Sequence, residues 1–223
     1  MPNQIKSNEQ SRSIRKTVAI ILLCIAIILI LFVHRLSMDR ILSPKEMVAN
    51  GAVIFSTPRE LSEFSLLNQH NVPVNNEILK NKWSFVFFGF TYCPDICPAT
   101  LSILSEFSKS LVKTNYFDDT NFIFVSLDPA RDDPASMKSY VEYFNPNFTG
   151  LTGEFLDLHR FSKQLNVAFQ KVVTNQESGS YTIDHSGHIA LINPNGHFQG
   201  YYKPPFDLNR FLMTYKSLRA SHK

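Results

Sequence analysis

The sequence is poor in cysteine and has almost no surplus of one charge. Three cysteines among 223 residues are too few for a disulfide-stapled scaffold, so the fold must rest on a hydrophobic core. Lys+Arg is 22 and Asp+Glu is 19, and the small imbalance is local. Residues 1–40 carry a net +4, while the remainder carries −1. That remainder lacks the basic face a nucleic-acid-binding domain uses on phosphates. No internal repeat or low-complexity tract occurs, which excludes a solenoid or a biased linker. Disorder is excluded by what is abundant: 44% of residues are hydrophobic and 13% aromatic, enough to build a core. The length allows one globular domain of roughly 100–200 residues plus appendages.

The positive tail reads as a membrane anchor. Val18 to Val33 (VAIILLCIAIILILFV) is an unbroken apolar run between Lys16 and His34-Arg35. At about 1.5 Å per residue it spans roughly 24 Å. Thr17 and Leu36, with Arg35 snorkelling, extend it towards the ~30 Å hydrocarbon layer. A cleaved signal peptide is the rival reading, but such a segment ends at small residues, and here His34, Arg35, Leu36 and Met38 follow. The organisation expected is therefore a cytoplasmic tail (1–16), a transmembrane anchor (17–36), a linker (37–55) and a globular domain (56–223). Positive charge before the span puts the N-terminus in the cytoplasm and the domain in the periplasm. Cys24 lies within the span and reads as an apolar filler.

Within the domain, short apolar pairs separated by polar turns between Phe64 and Trp83 suggest a small hairpin. Trp83-Ser-Phe-Val-Phe-Phe-Gly-Phe90 and Asn121-Phe-Ile-Phe-Val-Ser-Leu127 are the patterns of strands buried on both faces. Leu101, Leu104, Phe107 and Leu111 follow helical spacing after Pro98. Asp133-Pro134 starts a second helix, with the acid as cap and proline in the first turn. Glu154–Leu165 and Phe206–Leu218 are further helices. His188–Asn193 and His197–Tyr202 flank Pro194-Asn-Gly196, a hairpin signal. Strands alternating with helices and ending in a hairpin indicate an α/β fold, a mixed sheet flanked by helices. That is the thioredoxin-like pattern with an extra N-terminal hairpin.

Cys93 and Cys97 stand in Phe90-Thr-Tyr-Cys-Pro-Asp-Ile-Cys-Pro98, between the first buried strand and the helix after it. A helix N-terminus beside the thiols favours thiolate. Residues four apart lie about 5–6 Å apart at Cβ on one helix face, wider than the ~3.8 Å of a relaxed disulfide. A soft metal ion tolerates that gap, and a reversible disulfide needs local adjustment, so spacing alone leaves both open. A plain structural disulfide would close too small a loop to stabilise much. Asp95, between the cysteines, reads equally as a tuner of thiol acidity or as the helix cap. Arg131, Asp132 and Asp133 read as a solvated turn and cap. His188 and His197 read as ordinary strand and turn residues, and His34, His70, His159 and His222 join no constellation.

The string Gly89-Phe-Thr-Tyr-Cys-Pro-Asp-Ile-Cys-Pro-Ala-Thr-Leu101 resembles the signature of the SCO/SenC family, copper-binding thioredoxin-like proteins that assist assembly of cytochrome c oxidase. Further matches follow in order: Phe124-Val-Ser-Leu-Asp-Pro-Ala-Arg-Asp132, Leu151-Thr-Gly153, Tyr181-Thr-Ile-Asp-His-Ser186 and Leu191-Ile-Asn-Pro-Asn-Gly196. They cover about residues 60–205, and an N-terminal single anchor is similar to the family's layout in the bacterial inner membrane. The resemblance implies that Cys93, Cys97 and His185 are copper ligands, that Asp128 lies near the site, and that the partner is the copper-site subunit of cytochrome c oxidase. Other periplasmic copper or thiol-redox proteins are further candidate partners. From the residue chemistry, two thiolates and an imidazole suit Cu(I), and can hold Cu(II) when water or a carboxylate completes the site. Structural zinc usually takes four protein ligands, and no fourth is evident. Affinity should fall with pH, as protons compete for the thiols and the imidazole.

Two functions therefore compete. One is a copper carrier that is not a classical enzyme. The other is a thiol–disulfide oxidoreductase that keeps a partner's copper-site cysteines reduced, with Cys93 and Cys97 as the redox dithiol. His185 separates them, because disulfide exchange does not need it. Thioredoxins place a proline opposite the dithiol, whereas no proline occurs here between Pro146 and Pro194, so the usual peptide groove should be altered. A peroxiredoxin-like reading fails at residue 90, where a threonine would stand and phenylalanine does.

Overall fold

The computed structural model describes residues 3–37 and 40–222. Helix α1 spans Asn3–Ser37. Its stretch Ile14–Arg35 is long and apolar enough to cross a membrane and is exposed along its length. A second compact body runs from Leu42 to the C-terminus. In chain order it holds α2 (Pro44–Ala49), β1 (Ala52–Arg59), β2 (Leu66–Asn68), β3 (Pro73–Val74) and a 3-10 turn at Asn76–Leu79. Next come β4 (Trp83–Gly89), α3 (Ile96–Leu111), β5 (Thr120–Ser126), α4 (Pro134–Phe144), β6 (Thr149–Thr152) and α5 (Phe155–Gln164). The chain ends with β7 (Phe169–Asn175), β8 (Ser180–His185), β9 (Ile189–Ile192), β10 (Phe198–Tyr202) and α6 (Leu208–Ser221).

Eight strands form one mixed sheet in the order β1-β10-β9-β4-β5-β6-β2-β3. β4, β5 and β6 run parallel, as strands joined by helices do. β9 lies antiparallel on the other side of β4 and turns back through Pro194–Gly196 into β10. Every residue of β4 is buried, as its unbroken apolar sequence requires of a strand covered on both faces. Phe85 is the hub of the core, with ring centroids of Phe107, Phe122, Tyr202 and Tyr215 between 5.1 and 5.6 Å away. The mixed α/β thioredoxin-like architecture and the small β2–β3 hairpin are as the sequence patterns indicate. α4 starts as read, with Asp133 accepting from the Ser136 backbone N–H at 2.7 Å.

Three parts differ from the sequence reading. The stretch 37–55, taken as a linker, includes a capped helix and the first half of β1, while Met38 and Asp39 lie outside the described residues. Ser43 and Glu46 form a reciprocal capping box, an S-x-x-E signature that fixes a helix start. The Leu42 backbone N–H donates to Ser217 Oγ at 2.7 Å, Leu42, Met47 and Ala52 are buried, and β1 pairs with β10. The packed body therefore includes residues 42–55. β6 was also unread, because Thr149–Thr152 is too short to show a period. Finally, the segment around His185, to which the sequence patterns assign no element, is half of a separate two-stranded sheet, β7 paired with β8.

Candidate metal centre

The two cysteines occupy the turn from β4 into α3. Cys93 lies in the loop, where its N–H donates to the Phe90 carbonyl at 3.2 Å, and Cys97 lies in the first turn of the helix. Both thiols are free, Cys93 at the edge of burial with 9% exposure and Cys97 fully buried. The Cys97 backbone N–H donates to Cys93 Sγ at 3.4 Å. Gly89 makes room for the second sulfur: a Cβ there would stand 2.7 Å from Cys97 Sγ and 2.8 Å from Phe124 Cε2. Asp95 sits at the N-cap position of α3 but makes no side-chain cap hydrogen bond, so the capping half of its expected role is absent.

The thiols are electrostatically unlike. A hydrogen bond from the Cys97 thiol, helped by the Asp95 and Cys97 backbone N–H groups and by His185, draws the Cys93 thiol down to about 5 despite its burial. Cys97 is pushed far up, because it donates to Cys93 and is buried, with Asp132 adding a like charge. A low-pKa thiol at the rim and a protonated one beneath it is the division between an entering and a resolving group.

His185 closes β8 and approaches the buried one of the two thiols. Its Nε2 lies 3.8 Å from Cys97 Sγ. Nδ1 lies 3.1 Å from the Ser186 carbonyl oxygen. With its proton on Nδ1, the ring donates there and leaves the Nε2 lone pair towards sulfur. Phe87 and Phe90 wall the imidazole, at 6.1 and 6.4 Å between centroids. A shallow open cleft of about 370 Å³ lies on the hairpin side, lined by Ala168, Phe169, Gln170, Asp184, His185 and Ser186.

The donors fit a soft metal by type and nearly by distance. Metal–sulfur and metal–nitrogen bonds of the usual length, opened to a trigonal angle, separate S and N by ~3.7 Å. Cys97 and His185 already stand at that separation. Among the described residues, however, no group of three His, Cys, Asp or Glu side chains converges into a finished cage. Cys93 is held to Cys97 rather than to His185, so a metal must draw the third donor in.

Asp128, expected near the site, is buried and engaged. It forms an ion pair with Arg131 and accepts from the Tyr181 hydroxyl at 2.9 Å. The solvated-turn reading of the Arg131–Asp133 stretch holds only for Asp133. Asp132 is fully buried and accepts from the Thr91 N–H at 2.9 Å, the Thr91 hydroxyl at 2.5 Å and the Ser126 hydroxyl at 2.6 Å. It ties the segment before Cys93 to the end of β5. Tyr140 on α4 was missed as well. Its hydroxyl is buried without a hydrogen-bond partner, and burial, with the two cysteines and Asp132, drives its acidity down. Nothing in a lone tyrosine of an amphipathic helix signals that position. His188, read as ordinary, lies 3.0 Å through Nε2 from the Leu165 carbonyl and packs at a tilt against Tyr201, 5.0 Å between ring centroids.

Comparison with known proteins identifies the family of the domain that carries these residues. The family described as SCO1/SenC matches residues 56–218. A putative copper-binding protein of Stutzerimonas stutzeri is 36% identical over 177 residues, covering 78% of this chain and 82% of its own. The copper-bound structure of ScoI from Bradyrhizobium japonicum superposes with a TM-score of 0.61 at 34% identity, over 72% of this chain and 99% of that one. BsSco, described as a Sco-family cytochrome c oxidase assembly protein with a disulfide switch, shares the fold at a TM-score of 0.59 and 23% identity, over 76% of this chain and 98% of its own.

Proposed function

The chain belongs to the SCO1/SenC family, and from that premise we propose that it is a membrane-anchored copper-binding protein that assists insertion of copper into the dinuclear copper site of cytochrome c oxidase. Cys93, Cys97 and His185 hold the copper as cargo. The observation that carries this reading is the 3.8 Å approach of Cys97 Sγ and His185 Nε2, two soft donors from residues far apart in the sequence, beside a thiol drawn down to about 5. A thiolate at the rim takes incoming copper without first losing a proton at neutral pH. Cys97 then gives up its proton and joins, and His185 supplies the third bond. Release runs in reverse by ligand exchange with the partner's thiolates, with no net redox change. The apolar run Val18–Val33 of α1 is the anchor, and Lys6, Arg12, Arg15 and Lys16 ahead of that run support a periplasmic domain.

The test is an anaerobic copper titration of the full chain in detergent, compared with Cys93→Ala, Cys97→Ala and His185→Ala. One copper per chain is expected, with affinity severely reduced in each variant. Wild-type binding by His185→Ala would sink the ligand assignment. The unequal thiols also favour a second reading, the thiol–disulfide oxidoreductase. The Cys93 thiolate would attack a partner disulfide and form a mixed disulfide. Cys97, losing its proton, would then attack Cys93, leaving a Cys93–Cys97 disulfide and the partner's dithiol. Reduction of a partner's copper-site disulfide by His185→Ala at the wild-type rate, without copper, would support it.

A further inference from the structure

Arg131 stands where three aromatic side chains meet. Its Cζ lies 3.8 Å from the Tyr181 ring centroid, 4.8 Å from that of Tyr92 and 5.7 Å from that of Phe90. Nε donates to Asp128, Nη1 donates to the Tyr181 carbonyl at 3.4 Å, and Nη2 is buried with no hydrogen-bond partner. The Tyr181 hydroxyl returns to Asp128 at 2.9 Å. An exposed ion pair is worth little, but here the Asp128 side chain is only 5% exposed. An unpaired buried N–H carries a desolvation penalty, so the guanidinium is held by its surroundings against that penalty.

The residues it joins belong to two different elements. Phe90 and Tyr92 lead into Cys93, whereas Tyr181 lies on β8, the strand that ends at His185. β7 and β8 form their own two-stranded sheet apart from the eight-stranded one, and a two-stranded ribbon is marginal by itself. Its position over the dithiol must therefore be fixed from outside.

We propose that Arg131, braced by Asp128, is a positioning residue that clamps Tyr181 of the β7–β8 hairpin to the Phe90–Tyr92 segment and so sets the reach of His185 towards the two thiols. This rests on the reading that His185 is a copper ligand. Stacking and the planar fork act together, so lysine, which keeps only the charge, is an incomplete substitute.

The experiment uses the full chain in detergent, loaded with Cu(II). Affinity, thiolate-to-copper absorption and the nitrogen coupling in the electron paramagnetic resonance spectrum are read together. Arg131→Ala is expected to weaken affinity about 10–100-fold, the usual effect of losing a group that orients a ligand. Nitrogen coupling should fall while the sulfur absorption persists. Arg131→Lys should recover part of the loss. Tyr181→Phe, which keeps the ring and removes only the bond to Asp128, should lose less in the same direction, and it decides the matter if Arg131→Ala does not fold. Wild-type affinity and coupling in both Arg131→Ala and Tyr181→Phe would overturn the clamp, and loss of coupling in His185→Ala would show that the ligand reading survives. Retained coupling in His185→Ala would overturn the ligand reading and the clamp with it.

Discussion

The turn from β4 into α3 and the β7–β8 hairpin each bring part of the candidate site, and they are built in opposite ways. All of β4 is buried, Cys97 is fully buried, and Asp132 fixes the connecting segment with three hydrogen bonds. β7 has one half-buried residue and is otherwise exposed, and its partner β8 buries only Ile183. Two sulfurs thus sit on a rigid platform, and one nitrogen sits on a lightly attached arm. A carrier must both hold its cargo and let it go. On the proposed ligand assignment, a donor carried by the exposed hairpin gives exchange a route that leaves the core untouched.

The largest effect expected concerns the platform alone. In the metal-free protein, Cys93 should alkylate faster than Cys97 at pH 7 by on the order of 10³-fold, because one is thiolate and the other is buried and protonated. Its rate should titrate with a midpoint near pH 5. Linkage gives the sign for stability. The folded Cys93 thiol is depressed from 9.0 to about 5, so its stabilising contribution is complete above pH 9 and is lost as pH falls through 5. Cys97, raised when folded, contributes below pH 9 and loses that contribution above it. Equal alkylation of both thiols would show that the platform is not pre-set.

Matched truncations test the contrast directly. Phe85→Ala removes the hub of the core and should cost about 3–5 kcal/mol, read by urea unfolding. Val173→Ala on β7, whose side chain is exposed, should change stability by less than about 0.5 kcal/mol. Comparable losses would mean that the hairpin is as integral as the sheet. Asp132→Asn comes next. An amide presents one acceptor oxygen where the carboxylate serves Thr91 twice and Ser126 once. About 1.5–3 kcal/mol should be lost, with the Cys93 midpoint shifting as the segment before it loosens.

The same division explains what was legible in the sequence. The platform announced itself: an unbroken apolar run, a cysteine pair at a strand–helix boundary and helical spacing after Pro98 are local signals that burial enforces. The hairpin gave no such signal, because β7 (FQKVVTN) and β8 (SYTIDH) have neither a clean period nor a two-residue turn. His185 emerged only through its resemblance to a family motif. Asp132 was misread because a charged residue beside Arg131 and Asp133 looks solvated, and only the tertiary structure reveals that Thr91 and Ser126 satisfy it. The 42–55 segment is similarly obscured: Ser43-Pro-Lys-Glu46 is a readable capping box, but Pro44 and Asn50-Gly51 are equally the residue types that break elements.

The smallest effect isolates the arm. Gly179 in the β7–β8 turn has φ +66, and a Cβ there would meet nothing within 4 Å. Gly179→Ala therefore adds backbone strain without a clash, about 1 kcal/mol for a non-glycine residue in that region. If the hairpin opens independently of the body, this strain appears locally. Amide exchange across 180–185 should speed up about fivefold, while the thermal midpoint stays where it was. Copper affinity should fall by a similar factor, because the ordered arm is what presents His185. A drop in the midpoint matching the local loss would show the arm and platform unfolding as one unit. Release could then no longer run through the hairpin alone, and the platform would have to move with it.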